Sequence, residues 1–200
     1  MDQFLKRYPN PINVNNKIIV EDETLLLIVD VQQKLIKNIK DNQQLIFNIK
    51  KLIDTCNLLN VRIAITEQNP LKLGKTLESI TDSNEYPKFE KMEFSCINNK
   101  NFIKYINDYN FKNIIVSGIE SHICVLQTSM DLLQKGLNIL IPRDAIGSRN
   151  KMDNDTAFLR LILSGAVAST TESLICELCK TSNRKEFREV SKILKNSFSN

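Results

Sequence analysis

The sequence predicts an α/β fold built on a mostly parallel sheet, and three observations predict it. Short runs rich in Leu, Ile and Val recur along the chain without polar alternation, the pattern of strands covered on both faces. Segments with apolar residues at helical spacing separate those runs. Glycine, proline and asparagine punctuate the junctions, so strands and helices alternate as they do in βα units.

The elements follow in order. Residues 1–24 are polar and Asn-rich, carry Pro9 and Pro11, and read as an N-terminal arm. Leu25-Leu26-Leu27-Ile28-Val29 is the first strand and ends on the carboxylate Asp30. Asp41-Asn42 offers a helix start, after which Leu45, Ile46, Ile49, Leu52, Ile53 and Cys56 recur at helical spacing. A second strand over 61–66 is closed by Glu67-Gln68-Asn69-Pro70. A polar loop region follows, and Lys88-Phe89-Glu90-Lys91-Met92-Glu93-Phe94-Ser95 reads as part of it. Helical spacing returns over 97–109. A buried strand over 113–118 runs into a turn at Gly118, and a helix over 121–135 ends at Gly136. A strand over 137–141, a helix over 153–163, a strand over 166–169 and a helix over 172–180 complete a domain spanning 25–180. The charged tail 181–200 adds a helix.

Composition excludes several classes. Two hundred residues suit one domain, and 42% apolar with 25% charged residues is ordinary for a globular protein. A net charge of +4, with no basic stripe interleaved with aromatics, argues against a nucleic-acid partner. The apolar runs fall far short of the ~20 residues that span a membrane. The cysteines are Cys56, Cys96, Cys124, Cys176 and Cys179, an odd number without framework spacing. Residues 1–10 hold no apolar signal-peptide core, so the expectation is a reduced, cytoplasmic protein with free thiols. The single histidine, His122, excludes a two-histidine metal site within one chain. No Gly-rich phosphate loop is present, and neither a metal nor a cofactor is expected.

In a parallel sheet the ligand site lies beyond the carboxyl ends of the strands. Those ends carry Asp30, Glu67, the 118–124 turn and Arg143-Asp144. Cys124 stands in the first turn of the predicted 121–135 helix, where backbone N–H groups favour thiolate over thiol and offer an oxyanion site. Asp30 is placed to accept and return a proton. Position alone leaves Cys124 open between nucleophile and buried small hydrophobe, and leaves Lys88 and Lys91 equivalent. His122 is two residues from Cys124 on a predicted helix, so the two side chains do not face each other. Cys176-Glu177-Leu178-Cys179 is a CxxC without a second pair, which suits core packing on a late helix.

Gly118-Ile119-Glu120-Ser121-His122-Ile123-Cys124-Val125-Leu126-Gln127-Thr128 resembles the nucleophile motif of the isochorismatase-like cysteine hydrolases. Val29-Asp30-Val31-Gln32, Thr66-Glu67-Gln68-Asn69-Pro70, Lys91-Met92-Glu93-Phe94-Ser95, Asp144-Ala145, Ser148-Arg149 and Ser164-Gly165-Ala166-Val167 resemble its other motifs in the same order. The resemblance implies a three-layer αβα Rossmann-like sandwich. It implies Asp30 as general base and acid, Lys91 as charge partner and Cys124 as nucleophile. It also implies a cis Ile119–Glu120 peptide that aims the Glu120 and Cys124 N–H groups at one oxyanion. Gln32, Glu67 and His122 become candidate substrate-pocket residues. The metal-dependent nicotinamidases of the family carry histidines this chain lacks, and true isochorismatases need no nucleophilic cysteine. The implied activity is metal-independent cleavage of a C–N bond in a small amide, imide or carbamoyl compound, by a homo-oligomer. Two other readings stand beside it: a non-catalytic scaffold on the same fold, and a thiol redox sensor using Cys124 with Cys96 or the CxxC.

Overall fold

The computed structural model describes residues 18–81 and 85–198. Most of the predicted N-terminal arm (1–17) and residues 82–84 of the predicted polar loop lie outside the described residues. Seven parallel strands make one sheet among the described residues: β1 Thr24–Val29, β2 Arg62–Gln68, β3 Lys88–Lys91, β4 Asn113–Ile119, β5 Asn138–Pro142, β6 Ile146–Gly147 and β7 Val167–Ser169. The order is β3-β2-β1-β4-β5-β7, and β6 pairs with β4 beyond the end of β5. The chain builds outward from β1 in one direction, then returns to start β4 on the other side. The switch point therefore falls between β1 and β4, where a crevice opens beyond the strand ends.

Alternation along β1 divides the core into two layers. Leu26 and Ile28 face helices α1 (Asn42–Leu58) and α7 (Thr171–Cys179), through Leu45, Ile49, Leu52, Ile53, Leu174 and Leu178. Leu25, Leu27 and Val29 face the other layer, made by α4 (Lys100–Asp108), α5 (Leu126–Gln134) and α6 (Lys151–Leu163). Phe102, Ile106, Leu132 and Leu161 fill that side. Two short helices, α2 (Pro70–Leu73) and α3 (Glu78–Thr81), lie in the connection from β2 to β3. The tail forms α8 (Phe187–Lys195), whose Val190 is buried in the first layer. The architecture is the three-layer α/β sandwich that the sequence predicts. Among the described residues no helix is long and apolar enough to cross a membrane.

The structure corrects two expectations. The segment read as loop at 88–95 begins as an edge strand, because β3 pairs with β2 over Ile65↔Lys88 to Gln68↔Lys91 and turns Phe89 and Lys91 inward. The helix expected over 121–135 starts as a π-helical turn, Ser121–Val125, and becomes α-helical only at Leu126. That wider turn is closed by the Val125 N–H donating to the Glu120 carbonyl at 3.2 Å.

Gly118 lets the two central strands meet beside the switch point. Its φ is +113°, and a Cβ there would stand 2.2 Å from the Val29 carbonyl oxygen. The obstacle is backbone and cannot rotate away. Gly118→Ala is therefore expected to destabilise by roughly 1–3 kcal/mol or more, read as a lowered urea midpoint. An unchanged midpoint would show that the β1–β4 approach is not tight.

Candidate active site

β1 ends where Asp30 leaves the pleat. Its φ of 52° lies in the left-handed region, which aspartate tolerates better than most residues. The turn is fixed by the Asp30 N–H donating to the Thr66 carbonyl at 3.1 Å and the Gln32 N–H donating to the Asp30 carbonyl at 2.8 Å. The carboxylate is fully buried. Oδ1 accepts the Thr66 hydroxyl at 2.7 Å, and Oδ2 accepts Lys91 Nζ at 2.6 Å. Lys91 is the last residue of β3, and its side chain is 1% exposed. Nζ also donates to Gln68 Oε1 at 2.9 Å. Cys124, in the π-helical turn after β4, is buried, and the charges of Asp30 and Lys91 both act on its thiol.

The electrostatics define the resting state. Burial pushes the Cys124 thiol well above its ordinary value of 9.0, the Asp30 charge adds to that, and Lys91 offsets only part. Free thiolate, expected from a helix start, is therefore not the resting form. Burial and the neighbouring Asp30 both favour the thiol form of Cys124. Cys96 is a second buried thiol near the same pair, pushed up to about 12 by burial. All five cysteines are free; Cys179 is buried in the core and Cys176 is exposed.

The turn carrying Cys124 is held from one side. The Ile119–Glu120 peptide is cis. Glu120 Oε2 accepts from Arg149 Nε at 3.0 Å and from the Arg149 N–H at 3.3 Å. The Ser121 hydroxyl donates to Asn154 Oδ1 at 2.7 Å, and His122 Nδ1 meets the Ser148 hydroxyl at 2.9 Å. His122 Nε2 lies 3.9 Å from Asp153. Three consecutive residues are thus tied to 148–154, the segment that opens α6, and His122 is part of that clamp.

Of the candidate pocket residues, Gln32 and Glu67 are turned inward. Gln32 Oε1 accepts the Gln68 N–H at 2.8 Å, while its Nε2 donates to the Gln68 and Gly74 carbonyls at 3.0 and 2.5 Å. Glu67 Oε1 accepts both the N–H and the hydroxyl of Thr76 at 2.7 Å. Both side chains tie the loop after β2 to the strand ends. Sequence reasoning passes over Thr66, Gln68 and Asn154 as site residues. Thr66 and Gln68 stand within the motif at the end of β2, two residues apart and so on one face of the strand. An open cleft of about 420 Å³ adjoins Lys91 at the β3 edge, lined by Asn69, Pro70, Leu71, Met92 and Lys100 among others. Among the described residues no three His, Cys, Asp or Glu side chains converge as metal ligands.

Breaking one partner of a buried ion pair leaves the other charge uncompensated, at a cost of ~3–5 kcal/mol. Lys91→Met alone is expected to destabilise by that order in urea titration. Adding Asp30→Asn, which keeps an acceptor for Thr66, is expected to recover most of the loss. Equal loss in the single and double variants would contradict the pairing.

Comparison with known proteins shows the family and the fold. The isochorismatase domain family model matches residues 24–173. Isochorismatase family protein 1B of Dictyostelium discoideum is 36% identical over 183 residues, covering 88% of each chain. The structure of MAR1 ribonuclease from Caenorhabditis elegans superposes with a TM-score of 0.86 at 33% identity, covering 92% of this chain and 95% of that one. The YcaC gene product of Escherichia coli, described as an octameric hydrolase of unknown specificity, shares the fold with a TM-score of 0.83 at 19% identity, covering 92% and 91%. The family and the fold support a hydrolase role. A strand-end carboxylate, an edge-strand lysine and a cysteine on the turn after β4 thus sit in a chain that belongs to the isochorismatase domain family.

Proposed function

We propose that this protein is a metal-independent cysteine hydrolase that cleaves a C–N bond of a small amide, imide or carbamoyl compound through a thioester on Cys124. The observation that carries the reading is the buried Asp30–Lys91 pair, closed at 2.6 Å, whose two charges both act on the Cys124 thiol. A thiol with a raised pKa needs a base in contact at the moment of attack, and Asp30 is that base. Asp30 takes the Cys124 proton as sulfur attacks the substrate carbonyl. The N–H groups of Glu120 and Cys124 receive the oxyanion. The C–N bond breaks as Asp30 returns its proton to the nitrogen, so the leaving group departs as neutral amine or ammonia. Water then attacks the thioester, Asp30 accepts a proton from it, and that proton returns to sulfur as the acid is released. Lys91 keeps its charge throughout. Holding Asp30 anionic and lowering the cost of negative charge on sulfur are its two tasks.

The amine-type leaving group follows from the same proton. An amide nitrogen cannot leave as an anion at neutral pH, and the buried acid formed by the first step sits beside it. The octamer described for the E. coli neighbour supports a homo-oligomeric assembly for this chain.

The test is turnover. Incubation with a panel of primary amides, imides and carbamoyl compounds is expected to release ammonia or amine, and Cys124→Ala and Asp30→Asn are each expected to reduce the rate at least ~10³-fold. A short RNA belongs in the panel, because one relative is named as a ribonuclease. Amide turnover at the parental rate by Cys124→Ala, or RNA cleavage in place of amide cleavage, would overturn the reading.

A further inference from the structure

Gln68 is the last residue of β2 and is paired in register with Lys91, the last residue of β3. Its side chain is buried and has two partners. Oε1 accepts from Lys91 Nζ at 2.9 Å, and Nε2 donates to the Met92 carbonyl at 2.6 Å. A lysine ammonium has no acceptor and a carbonyl has no donor, so the amide has one orientation only. The backbone of Gln68 is fixed as well. Gln32, itself fully buried, clasps the Gln68 N–H and carbonyl with the two ends of its own amide at 2.8 and 3.0 Å. A continuous chain of bonds therefore runs from Gln32 through Gln68 to Lys91, and from Lys91 to Asp30.

We propose that Gln68 is a positioning residue that holds the Lys91 ammonium between Asp30 and Cys124, and that its neutrality is what the site requires there. An ammonium carries three protons. Asp30 Oδ2 takes one at 2.6 Å, Gln68 Oε1 takes the second at 2.9 Å, and the third is left for the Cys124 sulfur, whose negative charge Lys91 favours. Each acceptor has a different charge and a different task. Asp30 must be anionic to serve as base. Sulfur becomes anionic only during the reaction. The remaining acceptor satisfies a buried proton without drawing on the positive charge the other two share. A carboxylate at 68 would claim that charge for a second permanent anion, and the Cys124 thiol would then face two carboxylates against one ammonium. An apolar side chain of the same length would leave one ammonium proton without an acceptor. Burial then favours neutral lysine, and the charge beside sulfur is lost. Glutamine avoids both outcomes.

This inference rests on the proposed role of Lys91, and its test separates the two. The readout is the rate of iodoacetamide alkylation at Cys124 from pH 7 to 10, followed by peptide mass spectrometry. The exposed Cys176 in the same chain serves as an internal reference. Gln68→Glu is expected to slow alkylation of Cys124 at least tenfold at pH 8 and to move its pH profile upward by one unit or more, with Cys176 unchanged. Gln68→Met is expected to move the profile in the same direction by less, and it carries the test where the glutamate variant does not fold. A merely structural glutamine would change the urea midpoint without moving the profile. If Lys91→Met shifts the Cys124 profile while both Gln68 variants follow the parent, the positioning role of Gln68 is wrong and the role of Lys91 stands. If Lys91→Met itself follows the parent profile, the charge-partner reading fails and this inference fails with it.

Discussion

Taking a lysine and an aspartate out of water costs several kcal/mol for each ion, and a buried pair repays that only with close geometry and additional hydrogen bonds. Asp30 and Lys91 meet both conditions. Their contact is 2.6 Å, Thr66 takes the second carboxylate oxygen, and Gln68 takes another ammonium proton. The pair sits on three neighbouring strand ends, so its geometry is only as good as the register of β1, β2 and β3. An unpaired partner would be a penalty to the whole fold. The site is therefore held together by a constraint on stability.

The same constraint explains why Cys124 needs no exposed thiolate. Burial favours the thiol, and so does Asp30; Lys91 moderates both. A permanent thiolate in this position would be open to oxidation and alkylation. In the proposed mechanism a thiol deprotonated only on attack stays inert until a carbonyl arrives, and the proton it gives up is the one a leaving nitrogen needs. The clamp on the other side serves geometry. Glu120, Ser121 and His122 are each tied to the segment that opens α6, so the turn carrying Cys124 is pinned next to the sheet. Gly118 makes the approach possible, since no side chain fits between β4 and Val29.

Much of this is legible in the residues. Strands buried on both faces write themselves as continuous apolar runs, and Leu25 to Val29 and Ile114 to Val116 are such runs. The rule that ligands gather beyond parallel strand ends then draws Asp30 and the 118–124 turn together from strand order and spacing alone. What stays hidden has physical reasons. β3 is four residues with two lysines, and only Phe89 and Lys91 face inward, so it carries no strand signal that composition can reveal. Its lysine looks like any surface lysine because burial comes from register with β2 and leaves no local trace. Gln32 and Glu67 look like pocket residues for the same reason: a polar side chain at a strand end reads alike whether it meets a ligand or a backbone amide. The π-helical turn is invisible, since hydrophobic spacing through residues 121–135 suits an ordinary helix.

The proposed mechanism places the substrate's acyl group on Cys124. The most direct measurement is intact-protein and peptide mass spectrometry of the enzyme quenched in acid during turnover of an amide from the panel. The expected result is an added mass equal to the acyl group, lost with hydroxylamine and mapped to the peptide containing Cys124. Turnover with no adduct on Cys124 in the parent, and an adduct formed elsewhere or none formed when deacylation is slowed, would contradict it.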